Sequence, residues 1–289
     1  MGPLFGTVLA HWMDAVWARL GRPDGFTVVE AGAGRGTLAR SVLAAAPDCL
    51  AAGRYLAVER SGALRAGHPD GVESVADLPA GPLTGVVVAN ELLDNLAFRL
   101  LAADGGAWHE VRVGLDGQAF AEVVGEPVDV ADLPDPVDGA RVPLQDEAVA
   151  WVDRALGLLE RGALLLFDYA STTSDLAARP WDGWLRTYRG HERGGHPLDA
   201  PGTQDVTVEV ALDLLPGDPA VATQAAFLRV HGIDDLVDEG RRVWQGGAAT
   251  GDLAALRARS RITEAEALLD ETGLGGFAAL EWPVAPAAF

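Results

Sequence analysis

Three glycines, each one residue apart, follow a carboxylate at the end of an apolar run: Val28-Val29-Glu30-Ala31-Gly32-Ala33-Gly34-Arg35-Gly36-Thr37-Leu38. The β-branched run reads as a buried strand. The glycines read as a turn that uses left-handed backbone, and Thr37 starts a helix. Strand, glycine turn and helix N-terminus together make a nucleotide-cofactor site. The glycine spacing separates cofactor classes. A dinucleotide fingerprint runs Gly-x-Gly-x-x-Gly/Ala, its last small residue letting helix and strand pack around a pyrophosphate, and here that position is Thr37. A glycine-rich strand-to-helix turn with no ligand is the alternative for so short a signal.

A second acid strengthens the cofactor reading. Arg54-Tyr55-Leu56-Ala57-Val58-Glu59 reads as the next strand, with Glu59 at its C-terminal end and Arg60 just beyond. In doubly wound folds a carboxylate there accepts hydrogen bonds from ribose hydroxyls. The alternative is one more solvated acid on a very acidic chain. Glu30 ahead of its loop resembles the first motif of class I S-adenosylmethionine (SAM) methyltransferases. SAM has no pyrophosphate, and its methionine end carries an ammonium that a carboxylate near the strand end could bind.

The elements that must position these residues follow from hydrophobic periodicity. Val8, Leu9, Trp12, Met13, Val16, Trp17 and Leu20 recur at helical spacing, with Gly21 placed to end the helix. Thr37 to Ala46 should be a helix closed by Pro47, and Ser61 can cap the next one. Gly85 to Ala89 is a central parallel strand that delivers Asn90-Glu91-Leu92-Leu93-Asp94-Asn95 to a site. Phe98 to Ala102, Trp108 to Val113 and Ala119 to Val124, split by Asp-Gly turns, predict a β-meander insertion at about 98–125.

Asp129 to Pro143 reads as a loop, Gln145 to Glu160 as a helix, and Ala163 to Tyr169 as a buried strand ending in Asp168 and Tyr169. The aromatic, Gly/Pro-rich stretch from Ala170 to about Asp205 reads as a lid or acceptor-binding loop. Helical patterns near Val206 to Leu215, Gln224 to Gly240 and Asp252 to Asp270 precede a last strand at Phe277 to Trp282. The expected fold is α/β, a Rossmann-like core with a doubly wound mixed sheet. Its domains would be a SAM-binding core over 1–170 and a lid and acceptor region over 171–289, with the last strand returning to the core.

Composition narrows the partners. The 289 residues carry a formal charge of −20, and none of the 22 basic residues is Lys. That balance argues against nucleic acid. There is no apolar run of the roughly 20 residues a membrane span needs and no secretory signal pattern, so no membrane role and a cytoplasmic location are expected. Cys49 is the single cysteine, which leaves no internal disulfide framework. His191 and His196 lie five apart with no nearby Cys, and no metal site is expected.

Three segments together resemble the MidA-like SAM-dependent methyltransferases, relatives of the mitochondrial complex I assembly methyltransferase: Glu30 to Leu38, Ala89 to Leu96, and Phe167-Asp168-Tyr169. Tyr188 to His191, Pro201 to Thr207 and Thr223 to Leu228 also fit. The resemblance implies a class I methyltransferase core with an added substrate-side region. It implies that Glu30, Gly32, Gly34 and Gly36, with Thr37, cradle the methionine half of SAM, and that Glu59 and Arg60 flank the ribose. Asn90 and Glu91 would line the methyl-transfer face. At least one branch of the family methylates a protein arginine. The family carries some dozens of residues ahead of the segment resembling Pro3-Leu4-Phe5-Gly6, including a loop that helps close the cofactor pocket, and here the chain begins at that segment. It also carries small or His residues where this chain has Val208 and Glu209, which points to a different acceptor.

Methyl transfer from a sulfonium is an in-line displacement, so much of catalysis comes from positioning. If the acceptor is a guanidinium, carboxylates must bind its N–H fork. Glu91 and Asp94 are the candidates, with Asp168 and Tyr169 close by. Asp94 could equally cap the following helix, Tyr169 could equally be core, and Arg189 could pair with an acceptor carboxylate or with a surface acid. The expected function is SAM-dependent methyl transfer to a protein arginine or a small molecule, with a homodimer as the candidate assembly. The alternatives are a SAM-binding or degenerate assembly factor and, less favoured, a nicotinamide-dependent oxidoreductase.

Overall fold

Four apolar runs rich in Val, Leu and Ala are buried along both faces, which only the centre of a covered parallel sheet allows. In the computed structural model, which describes residues 2–190, 192–247 and 253–285, they form the middle of a seven-stranded sheet. Its strands are β1 (Thr27–Ala31), β2 (Arg54–Val58), β3 (Glu73–Val75), β4 (Leu83–Asn90), β5 (Leu159–Asp168), β6 (Ala220–Thr223) and β7 (Ala278–Val284). Their order is β3-β2-β1-β4-β5-β7-β6. The first five pair in parallel, and β6 with β7 antiparallel. The chain reverses direction across the sheet between β1 and β4, the switch point at which doubly wound sheets bind ligands. Gly85 and Gly162 let β1, β4 and β5 approach: a Cβ on Gly85 would strike the Thr27 carbonyl, and one on Gly162 the Gly85 carbonyl.

The chain divides into two compact units. Unit 1 collects the described residues of Met1–Asn90, Arg154–Phe167 and Asp218–Phe289, and unit 2 takes Glu91–Asp153 and Asp168–Gly217. The division does not run at residue 170, as sequence alone suggests. The meander groups with the segment after β5, and the C-terminal helices group with the sheet.

In unit 1, helix α1 (Pro3–Arg19) buries Val8, Leu9, Trp12, Met13 and Val16 of the stripe its sequence spacing predicts, together with Leu4 and Phe5, while Trp17 and the C-cap Leu20 are half-buried. Its first turn donates backbone N–H groups of Leu4 and Phe5 to the Glu264 carboxylate, at 3.1 and 3.2 Å. That satisfies donors that no intrahelical bond can reach. Helix α2 (Thr37–Ala45) follows the glycine loop. The helical pattern at 224–240 resolves into two helices, Gln224–Val230 and Ile233–Gly247, because Gly232 adopts φ +92° between them. The expected helix from Asp252 runs Leu253–Leu269, Asp252 itself lying outside the described residues.

Among its described residues, unit 2 holds three small sheets. The meander strands Arg99–Asp104, Ala107–Asp116 and Ala119–Val128 are joined by a fourth strand, Arg141–Leu144, paired antiparallel to the first. That strand replaces the C-terminal end of the loop expected up to Pro143. The stretch from Ala170 is not one long loop. It contains the helix Thr173–Ala178 and a three-stranded sheet of Glu192–Arg193, Leu185–Arg189 and Asp205–Val208. The helix expected over Val206 to Leu215 is instead mostly extended. Val206, Val208 and Val210 alternate with Thr207 and Glu209, a period of two that belongs to a strand. Trp184, Leu176, Leu185, Val208 and Ala211 form its core.

Candidate functional site

In unit 1 the glycine loop bends through three left-handed residues, Gly32, Gly34 and Gly36, with φ of +70°, +55° and +73°. Gly36 is the N-cap of α2, and a Cβ there would come within 2.9 Å of the Pro69 ring. The middle glycine is held on both sides. Its N–H donates to Glu59 Oε2 at 3.0 Å, and its carbonyl accepts from His68 Nε2 at 3.0 Å. That bond requires the proton on Nε2, which leaves His68 Nδ1 to accept from the Ser74 hydroxyl at 2.8 Å. The other Glu59 oxygen accepts the Ser61 N–H at 2.8 Å. Sequence alone made Glu59 a ribose ligand. The structure shows it first as a clamp on the loop, with each oxygen retaining lone-pair capacity. Arg60 is exposed, and its carbonyl, like that of Glu59, accepts from Arg65 at 2.9 and 2.6 Å.

A cavity of about 140 Å³ opens at the C-terminal ends of β1 and β4, lined by Phe5, Glu30, Ala31, Gly32, Ala33, Thr37, Leu38 and Asn90. Glu30, Gly32, Thr37 and Asn90 of the expected cofactor set therefore meet there, while Gly34, Gly36 and Glu59 shape the loop beside it. Glu30 is 5% exposed, and Tyr55 donates its hydroxyl to Glu30 Oε2 at 2.7 Å. Burial pushes the Glu30 carboxyl up to about 7, against the opposing pull of the Tyr55 hydroxyl, the Ala39 backbone N–H in the first turn of α2 and the Arg40 charge. A buried carboxylate at a helix N-terminus, with a proton that leaves near neutrality, suits a small cation. Among the described residues no group of three His, Cys, Asp or Glu is arranged to hold a metal ion, and His191 lies outside them.

The acids expected to face the acceptor gather in unit 2. Asp168 is 1% exposed and accepts three backbone N–H bonds: from Leu93 at 2.9 Å and Asp94 at 3.2 Å on one oxygen, and from Tyr169 at 3.0 Å on the other. Burial and the neighbouring Asp94 push its carboxyl up, while those N–H groups pull it down. Asp168 thus anchors the turn at Leu93–Asn95, which carries Asp94. Asp94, 4% exposed, accepts from the Thr207 hydroxyl at 2.6 Å and from the Asn95 amide at 2.8 Å. Burial lifts its carboxyl, with Glu91 adding to the rise. The alternative that Asp94 caps a following helix is not met: Asp94 lies inside a single 3-10 turn, Leu93–Asn95, whose N-cap is Leu92.

Glu91 takes φ +50°, a strained conformation for a non-glycine residue, of the kind that clusters at functional sites. Tyr169 donates its hydroxyl to Glu91 Oε2 at 3.3 Å. The Arg186 guanidinium lies 5.8 Å from the centre of the Tyr169 ring and bonds Glu209 Oε1 at 3.1 Å, while Arg179 bonds the other Glu209 oxygen at 2.7 Å. Arg189 bonds the Thr203 hydroxyl at 3.0 Å. Sequence reasoning missed Tyr55, His68, Ser74, Thr207 and Arg186. Tyr55 left one trace, a hydroxyl in an otherwise apolar strand. His68, Ser74 and Arg186 stand in stretches with no strand-end or glycine-loop pattern to mark them, and Thr207 is legible only as part of the family-like stretch Pro201 to Thr207.

Comparison with known proteins agrees with this geometry. Residues 8–233 match a family profile described as "Putative S-adenosyl-L-methionine-dependent methyltransferase". The chain is 23% identical over 256 residues to the mitochondrial protein arginine methyltransferase NDUFAF7 homolog of Drosophila melanogaster, covering 73% of this chain and 56% of that protein. It is 25% identical over 282 residues to mitochondrial NDUFAF7 of Danio rerio, covering 80% of this chain and 64% of that one. The chain thus spans less than two thirds of the length of these curated relatives. A superfamily member from Burkholderia thailandensis, crystallised with S-adenosyl-homocysteine, superposes with a TM-score of 0.78 at 28% identity over 98% of this chain and 77% of that one. A native crystal structure from the same organism gives 0.79 at 28% identity over 97% and 79%. With residues 8–233, most of its length, matched, this chain belongs to that family of S-adenosyl-L-methionine-dependent methyltransferases.

Proposed function

We propose that the protein transfers the methyl group of SAM to a cationic nitrogen acceptor, a protein arginine or a small amine or guanidine. The observation that carries the cofactor half of this reading is the clamp on Gly34, which fixes a glycine turn beside a cavity lined by the Glu30 carboxylate. These residues fit the cofactor. Glu30 and the first turn of α2 would bind its amino-acid end, and the free lone pairs of Glu59 would take the ribose hydroxyls. SAM supplies a sulfonium-activated methyl group and needs no metal. The S-adenosyl-homocysteine in the Burkholderia thailandensis relative and the arginine methyltransferase names of the animal relatives support the same choice.

On the acceptor side, Glu91 and Asp94 would hold the amine or guanidine by charge-assisted bonds and aim one nitrogen; that nitrogen sheds a proton to solvent and bonds the methyl carbon as the C–S bond breaks, leaving S-adenosylhomocysteine. Asp168 keeps Asp94 in place, and Tyr169 steadies Glu91. Asn90 and Glu91 are consecutive in the chain, as are Phe167 and Asp168.

The test is transfer of labelled methyl from SAM to arginine peptides and to small guanidines and amines. Transfer should fall about 100-fold in Glu91→Gln with SAM affinity unchanged, the scale expected for losing a charged positioning contact. Transfer at the wild-type rate by Glu91→Gln would remove Glu91 from the acceptor side.

A further inference from the structure

Behind the Glu30 carboxylate that lines the cavity lies a buried group to which the sequence reading gives no role. Tyr55 stands on β2 directly across from Val28, and Glu30 is across from Ala57. Tyr55 and Glu30 are therefore diagonal neighbours on one face, a spacing that an aromatic side chain spans. Ala57 offers no bulk in between. Tyr55 is 2% exposed, and its hydroxyl meets the Glu30 carboxylate at 2.7 Å.

We propose that Tyr55 is a positioning residue for cofactor recognition: its hydroxyl fixes the Glu30 carboxylate as the receptor for the ammonium at the amino-acid end of the ligand. This rests on the SAM reading above and adds to it the device that sets the charge of the pocket. One Glu30 oxygen is held by Tyr55, and the carboxylate lines the cavity. The groups facing Glu30 are the Tyr55 hydroxyl from β2 and the Ala39 N–H and Arg40 charge from α2, with Phe5 of α1 and Asn90 of β4 sharing the cavity wall. Burial against these opposing groups brings the Glu30 carboxyl to about 7.

A binding consequence follows with a definite sign. Below that pH the empty pocket holds a carboxylic acid, and an ammonium binds only the carboxylate. Capture of the ligand therefore breaks the Glu30 O–H bond and releases its proton to solvent, while an N–H···O bond to the ammonium forms. Removing the Tyr55 hydroxyl takes away a donor that favours the carboxylate, so Glu30 would ionise at higher pH and bind the ammonium less well near neutrality.

The experiment is calorimetric titration of wild type, Tyr55→Phe and Glu30→Gln at pH 6 to 8, in buffers of different ionisation enthalpy. The two probes are S-adenosylhomocysteine, which carries the ammonium, and 5′-methylthioadenosine, which lacks the amino-acid end. For wild type at pH 6, S-adenosylhomocysteine should release nearly one proton and methylthioadenosine none. Tyr55→Phe should bind methylthioadenosine as wild type does, which also shows the pocket intact. It should bind S-adenosylhomocysteine about tenfold more weakly at pH 7, the loss of one hydrogen bond to a charged group, with the pH midpoint of affinity moved upward. Glu30→Gln should release no proton. Equal S-adenosylhomocysteine affinity and an unmoved midpoint in Tyr55→Phe would overturn the proposal, and so would an equal loss for both probes. Binding of neither probe by wild type would instead overturn the cofactor reading on which it rests.

Discussion

The two groups of carboxylates in this protein are assembled by different routes. In unit 1, Glu30 and Glu59 end adjacent parallel strands, and their partners lie 25 residues away: Tyr55 for Glu30 and Gly34 for Glu59. In unit 2, Asp168 holds the Leu93 N–H across 75 residues, and Asp94 meets Thr207 across 113. The first arrangement is a strand-turn-helix motif that one stretch of sequence nearly completes. The second exists only when several small sheets have folded.

That contrast predicts separable defects. The largest effect should come from Asp168→Ala, which leaves the N–H groups of Leu93, Asp94 and Tyr169 without their carboxylate. Loss of buried acceptors of this kind costs about 3 kcal/mol. Denaturant unfolding should show that loss and methyl transfer should fall with it, while S-adenosylhomocysteine affinity holds. A parallel fall in that affinity would mean that the two groups do not act separately.

Next is Glu30→Gln, expected to weaken S-adenosylhomocysteine about 100-fold through loss of the charged partner while stabilising the ligand-free protein at high pH. The folded-state carboxyl is raised from 4.5 to about 7, so the folded chain binds its proton more tightly than the unfolded one. Wild-type stability therefore falls as pH rises from about 4.5 to 7 and levels off above. That term is on the order of 3 kcal/mol and absent in Gln. Melting curves at pH 5 and pH 8 check the sign: the advantage of Glu30→Gln should be larger at pH 8.

Smaller effects sharpen the unit 1 side. Gly36→Ala places a Cβ at φ +73° and 2.9 Å from Pro69, and should cost about 1–2 kcal/mol in stability. His68→Ala frees the Gly34 carbonyl and should weaken S-adenosylhomocysteine by roughly a few-fold, the net worth of one neutral hydrogen bond. Transfer at saturating SAM should stay near wild type in His68→Ala, and isothermal titration beside saturation kinetics would reveal any departure.

The same contrast explains what the sequence discloses. The strand ends at Glu30, Glu59, Asn90 and Asp168 are legible because apolar runs of period one mark buried parallel strands and polar residues mark where they stop. The glycine loop is legible because left-handed backbone has few residue choices. The region from Ala170 to Leu215 is not, since its strands are short, two to five residues each, and stabilised by packing around Trp184 rather than by local pattern. There the alternation of Val206 to Val210 covers only five residues, divided between two short strands, and is outweighed by the apolar run that follows. Asp168 is legible as a strand-end acid, but its work of anchoring a turn 75 residues earlier is not.

The central claim is that the unit 1 cavity takes the amino-acid end of SAM. Side-by-side calorimetric titration of the protein with SAM, S-adenosylhomocysteine and NAD tests it without knowledge of the acceptor. Saturable one-to-one binding of the two sulfur nucleosides and none of NAD is the predicted result. Binding of NAD, or no binding of either sulfur nucleoside, would contradict it.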